Sequence, residues 1–81
     1  MIKVLYFARL REELKTGSES VAAVPDLRSL KDTLRARGGD WAEIFGDGQW
    51  VMASVNQKMA DLDTPLTDGD EVAFFPPVTG G

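Results

Sequence analysis

Residues 25–39 read Pro-Asp-Leu-Arg-Ser-Leu-Lys-Asp-Thr-Leu-Arg-Ala-Arg-Gly-Gly, and this stretch decides the fold. Asp26 is a good N-cap directly behind Pro25, and Leu27, Leu30 and Leu34 recur at i, i+3 and i+7 as one apolar stripe. Arg35 and Arg37 stand at the far end, where cations suit the helix dipole, and Gly38-Gly39 stops the helix. The stripe covers only about three turns. One amphipathic helix of that length needs a sheet to lie on.

The flanking segments supply it. Upstream, Ile2-Lys3-Val4-Leu5-Tyr6-Phe7 is rich in β-branched and aromatic residues and predicts a strand. Residues 8–15 predict a short helix or loop closed by Thr16-Gly17-Ser18, and residues 19–24 predict a second strand in hairpin with the first. Downstream, Trp41, Ile44 and Phe45 are expected to fold back as an irregular cover on the core. Gly46-Asp47-Gly48 is a turn into a third strand over residues 50–55. Asn56-Gln57 reads as a tight turn before a very short strand at residues 58–60. Thr64-Pro65-Leu66 and the turn Asp68-Gly69-Asp70 lead into a last strand at residues 71–75. Pro76-Pro77 ends it, because neither residue can donate to a ladder.

Two hairpins flanking one main helix predict an α+β fold, a mixed sheet packed on that helix. This is the β-grasp, or ubiquitin-like, arrangement. By analogy with that fold, the first and last strands should lie side by side and parallel in mid-sheet. The domain is expected over residues 1–75, with residues 76–81 an extended tail ending in Gly80-Gly81.

Composition narrows the chemistry. Eighty-one residues make one domain, whose total stability is on the order of 4–12 kcal/mol. The chain has no histidine and no cysteine, which removes the usual neutral-pH base, the thiolate nucleophile and every soft metal ligand. A carrier or docking module is favoured over an enzyme. Nine basic against thirteen acidic residues give a net charge of −4, so nucleic acid is a poor partner. No apolar run approaches a membrane span, and the absence of a leader pattern and of disulfides predicts a cytoplasmic protein. The acidic residues Asp61, Asp63, Asp68, Asp70 and Glu71 lack the spacing of a calcium loop, so no metal site is expected. The charge run Arg9, Arg11, Glu12, Glu13 reads as a solvated face.

Period-2 reading separates the faces of the strands. Lys3, Leu5 and Phe7 share one face, and Glu71, Ala73 and Phe75 share the corresponding one. The charges mark that face as the outer one, so Phe7 and Phe75 should point away from the helix. Ser54 places Met52 and Trp50 on the same side, and Met59 could extend the patch. Contiguous exposed aromatic and Met side chains on a small domain indicate a docking surface. The bland alternative is that Trp41, Phe45 or residues 8–15 fold over them.

Two terminal glycines arise by chance in about one chain in 200. Without a Cβ, Gly80 and Gly81 can lie flat in a narrow slot and present an unhindered α-carboxylate. A frayed end is the bland reading.

Three blocks carry a resemblance. Ile2-Lys3-Val4-Leu5-Tyr6-Phe7-Ala8 with Arg11-Glu12, the central Val55-Asn56-Gln57, and above all Pro65-Leu66-Thr67-Asp68-Gly69-Asp70-Glu71-Val72-Ala73-Phe74-Phe75-Pro76-Pro77-Val78-Thr79-Gly80-Gly81 resemble the small, sulfur-carrier subunits of molybdopterin synthase, the MoaD family. The likeness runs over the whole chain and is most specific in the last block.

The resemblance implies a non-catalytic carrier in molybdenum cofactor biosynthesis, with the catalytic side chains on the large subunit. An E1-like activating enzyme would use ATP to adenylate the Gly81 carboxylate, and a sulfur donor system would convert it to a thiocarboxylate. The charged tail would then enter the large synthase subunit, within a heterotetramer, and give its sulfur to a pyranopterin precursor. No cofactor would be bound by the carrier. Gly80 would thread the tail, Phe7, Met59 and Phe75 would anchor the domain, and Pro76 and Pro77 would stiffen the exit. Val78 and Thr79 would line the passage, the stretch 78–81 reaching about 13 Å when extended. Two other classes share the Gly-Gly end: a thiamin-pathway sulfur carrier, usually shorter and without the last block, and a ubiquitin-like protein modifier. A binding module with an inert tail ranks below both.

Overall fold

The computed structural model describes residues 1–46 and 51–77. In chain order the elements are β1 (Ile2–Tyr6), α1 (Arg9–Leu14), β2 (Ser18–Val21), α2 (Leu27–Arg35), α3 (Gly39–Ile44), β3 (Met52–Val55), β4 (Lys58–Ala60) and β5 (Glu71–Phe75). The Leu stripe forms α2 as its spacing predicts. The Asp26 carboxylate accepts from the Ser29 N–H at 2.8 Å and caps it, and Leu27, Leu30 and Leu34 are buried against the sheet.

The sheet has the order β2-β1-β5-β3-β4. β1 and β5 run parallel at its centre, Lys3 opposite Glu71 and Tyr6 opposite Phe74, while the other neighbours are antiparallel. The inner face carries Ile2, Val4, Tyr6, Val21, Ala53, Val72 and Phe74, all buried with the α2 leucines. Asn56 and Gln57 both take positive φ, 50° and 71°, in the two-residue turn between β3 and β4. The Asn56 side chain ties that turn to the start of β5, accepting from the Glu71 N–H and donating to Asp70, each at 3.0 Å.

Three expectations are corrected. The second strand stops at Val21 rather than residue 24, because its partner runs out. Val21 sits opposite Ile2, the first residue of β1, and the Met1 carbonyl beyond it already accepts from the Gly69 N–H. Trp41 and Ile44 do not form an irregular cover. Gly38 and Gly39, at φ 77° and 54°, turn the chain out of α2 and start α3, with Phe45 closing its end. The third strand begins at Met52, after Val51, and Trp50 lies outside the described residues.

Arg37 also leaves its expected place at a helix terminus. It sends two hydrogen bonds of 2.8 Å to Glu19 on β2, and its guanidinium lies 4.4 Å from the Trp41 ring centroid. The Tyr6 hydroxyl donates to the same carboxylate at 2.7 Å. Four rings continue the cluster inward, Tyr6–Trp41 and Phe45–Phe74 edge-on at 5.3 and 5.0 Å, Tyr6–Phe74 and Trp41–Phe45 stacked at 6.2 Å. The Arg37 hydrogen bonds hold the Glu19 carboxyl below its usual range, against the opposing effect of burial. Burial, and then the bond to Glu19, push the Tyr6 hydroxyl far above its ordinary value.

Between β1 and α1 the chain turns sharply. The Leu10 N–H donates to the Phe7 carbonyl at 3.2 Å, with Ala8 at φ 53° and ψ −132°. These angles belong to the first central position of a type II′ turn, where a Cβ is crowded and glycine is favoured.

Two measurements check these points. Glu19→Gln should lower unfolding stability by about 1–2 kcal/mol at pH 7 in urea titrations. A carboxyl whose folded value is depressed contributes fully above its unfolded value of 4.5 and loses that contribution as pH falls through the lower folded value, so the gap to wild type should close in acid. A gap that widened below pH 4.5 would contradict the assignment. Ala8→Gly should raise stability by about 0.5–1 kcal/mol, strain relief outweighing glycine's greater unfolded entropy. A lower denaturation midpoint would refute the strain.

Candidate functional site at the exit of the last strand

Among the described residues no helix packs on the outer face of the sheet. Across it, one row of neighbours is Leu5, Ala73, Ser54 and Met59, set by the β1–β5, β5–β3 and β3–β4 registers. The next row, toward the C-terminal ends of β1 and β5, holds Phe75 opposite Met52. Phe7 continues the parallel ladder beside them by donating its N–H to the Phe74 carbonyl at 3.1 Å. Phe7 is 47% exposed, and Phe75 and Met52 are half-buried.

Phe7 is held from both sides of its backbone, its N–H in the ladder and its carbonyl in the turn to Leu10. The residues that alternate with the patch, Tyr6 and Phe74, point inward and are fixed by the ring cluster. Trp41 and Phe45 pack on that inner side. Leu10 and Leu14 of residues 8–15 are likewise buried in the core, so of the three segments named in the alternative each packs inward.

Met59 is on the same face and 61% exposed, but it stands on β4, two strands from Phe75 and one row back. Strand spacing and rise put their Cα atoms about 12 Å apart. Met59 therefore marks the far border of the face, while Phe7, Phe75 and Met52 form its compact part. Pro76 and Pro77 follow β5 outside any strand, half-buried and adjacent to the patch. Val78, Thr79, Gly80 and Gly81 lie outside the described residues.

The acidic residues near β5 are occupied with the turns. The Asp70 carboxylate accepts from the Thr67 N–H at 2.8 Å and from Asn56, and these bonds lower its pKa, the backbone one most. Asp61 accepts from the Asp63 N–H at 2.9 Å, Asp63 pairs with Arg28, and Asp68 meets the Met1 ammonium. Among the described residues no group of acidic side chains is arranged to hold a metal ion, and no buried side-chain polar atom lacks a hydrogen-bond partner. Beside the root of the tail the described surface carries an aromatic and Met patch.

Sequence reasoning missed Glu19 and Arg37, which back the patch from the inner side. An inward charge on an edge strand has no signal of its own. The only available hint was Glu19 sharing a strand face with Val21.

The pattern of the ThiS family matches residues 4–81. The chain is 51% identical over 82 residues to the molybdopterin synthase sulfur carrier subunit of Escherichia coli strain K12, covering all of both chains. Its structure is similar to a chain in a protein–protein complex of subunits 1 and 2 of the molybdopterin-converting factor from Helicobacter pylori, with a TM-score of 0.71, 30% identity, and 99% and 97% of the two chains covered. It is also similar to SAMP1 from Haloferax volcanii, with a TM-score of 0.78, 28% identity, and 99% and 98% covered. The family match, the identity over the full length and the structural similarity agree: the chain belongs to the ThiS family, among the molybdopterin synthase sulfur carrier subunits.

Proposed function

We propose that this protein carries sulfur as a C-terminal thiocarboxylate on Gly81 and delivers it to the large subunit of molybdopterin synthase for insertion into a pyranopterin precursor. One observation carries this reading. Parallel β1 and β5 set Phe7 and Phe75 side by side at the strand end from which Pro76 and Pro77 lead toward Gly80-Gly81. A partner that grips the patch thereby holds the root of the tail.

The chemistry follows from the carboxylate. It is a poor acyl donor until one oxygen becomes a good leaving group. In an E1-like enzyme, a Gly81 carboxylate oxygen attacks the α-phosphorus of ATP and pyrophosphate departs. A sulfur nucleophile from the donor system then displaces AMP from the acyl carbon. In the large subunit the thiocarboxylate sulfur attacks a carbon of the pterin precursor and an oxygen leaving group departs from that carbon; water then hydrolyses the resulting thioester, leaving the sulfur on the precursor and returning the Gly81 carboxylate. The carrier contributes no acid or base, which fits a chain without His or Cys. It binds no cofactor itself, and ATP belongs to the activating enzyme. Neither nucleic acid nor a membrane is a partner in this scheme, and the reaction runs in the cytoplasm. No helix among the described residues is long and apolar enough to cross a membrane.

Protein modification would begin from the same acyl-adenylate. Full-length identity of 51% to a sulfur carrier, against 28% to SAMP1, places the carrier reading first.

Deleting Gly81 should abolish molybdopterin formation in a reconstituted synthase while leaving the thermal midpoint unchanged. Full activity of the truncated chain would exclude the carrier role. Phe75→Ala should weaken binding to the large subunit about tenfold or more by calorimetry, as expected for an aromatic anchor. Unchanged affinity would move the interface off this face.

A further inference from the structure

On the helix side of the tail root, opposite the aromatic patch, lies a notch of about 210 Å³ lined by Arg9, Leu10, Glu13, Glu43, Ile44, Val51 and Pro76. Leu10 and Ile44, core residues at 2% and 7% exposure, close its base, half-buried Val51 and Pro76 form one side, and most of the surface it exposes is polar. Its rim is charged. Arg9 and Glu13 pair across one turn of α1 at 3.7 Å, which leaves the rim with one net negative charge from Glu43. Among the described residues Glu43 has neither a hydrogen-bond nor an ion-pair partner through its side chain.

We propose that this notch is a second docking point, and that it receives one lysine or arginine side chain from the large subunit when that subunit encloses the tail. The inference rests on the carrier reading above. The Glu43 carboxylate beside half-buried Val51 and Pro76 fits a long cationic side chain, whose methylene stem lies along those two residues while its head meets Glu43. The volume falls below the roughly 300–1,000 Å³ of small-molecule sites, so a single side chain is the fitting occupant. An anion is disfavoured, because the one guanidinium on the rim is already paired and the chain carries a net charge of −4. Strand alternation explains the position. Phe75 points to the open face and Pro76 to the helix side, so the chain leaves the domain between the patch and the notch. A partner that contacts both would hold the tail root from two directions and fix its line of entry.

The test is calorimetric titration of the full-length carrier variants into the large subunit from the same organism, at two salt concentrations. Glu43→Lys should weaken binding about tenfold and Glu43→Gln about threefold, and the Gln variant should lose part of the salt dependence. Glu43 is exposed on α3, and matching thermal midpoints would show that the variants fold normally. Affinity within twofold of wild type for both variants, alongside a weakened Phe75→Ala control, would overturn the notch and leave the carrier reading standing. If wild-type protein fails to bind the large subunit, both fall.

Discussion

The parallel pairing of β1 with β5 is the constraint on which the rest of the molecule depends. It joins residues 2–6 to residues 71–75, almost the full length of the chain apart, and places both C-terminal strand ends at one edge of the domain. An antiparallel pairing would send Phe7 to the opposite end from Phe75. The parallel register instead sets the two rings side by side and lets the chain leave next to them. The loop closure is entropically costly, and the hydrophobic return comes from Ile2, Val4, Tyr6, Val72 and Phe74, all buried at 2% exposure or less.

A face of outward-pointing rings keeps its shape only if its back is rigid. Here each outward aromatic of the patch is the chain neighbour of an inward one: Phe7 follows Tyr6, and Phe75 follows Phe74. The inward pair is stacked and wedged by Trp41 and Phe45. The Tyr6–Glu19–Arg37 bonds then tie the edge strand β2 to the segment between α2 and α3. The ionic part of that tie is partly buried and bidentate, the arrangement in which such pairs contribute more than exposed ones do. This bidentate pair supports the shape of the sheet rather than chemistry at its surface.

What could be read in the sequence follows from how local each signal is. The α2 stripe, its Asp26 cap and the alternation of β1 and β5 are properties of neighbouring residues, and the structure has them where the spacing put them. The length of β2 is not local, since it depends on where β1 begins. Helix α3 was missed although Trp41, Ile44 and Phe45 fall at i, i+3 and i+4, because a single turn of apolar spacing is a short signal and its start depends on positive φ at Gly38 and Gly39. Met59 was assigned to the right face, but its distance from Phe75 is set by strand order, which periodicity does not carry. The Glu19–Arg37 pair and the notch beside Pro76 arise only when separate segments meet in three dimensions.

We propose that this fold delivers a reactive carboxyl terminus and contributes no catalytic side chain of its own. Intact-mass analysis addresses it directly. After incubation with the activating enzyme, ATP and a sulfur donor, the protein should gain the mass of one oxygen replaced by sulfur, located on Gly81 by fragmentation. Return to the starting mass should follow addition of the large subunit and the pterin precursor. An unchanged mass, or covalent adducts of this chain with lysines of other proteins in place of the exchange, would contradict it.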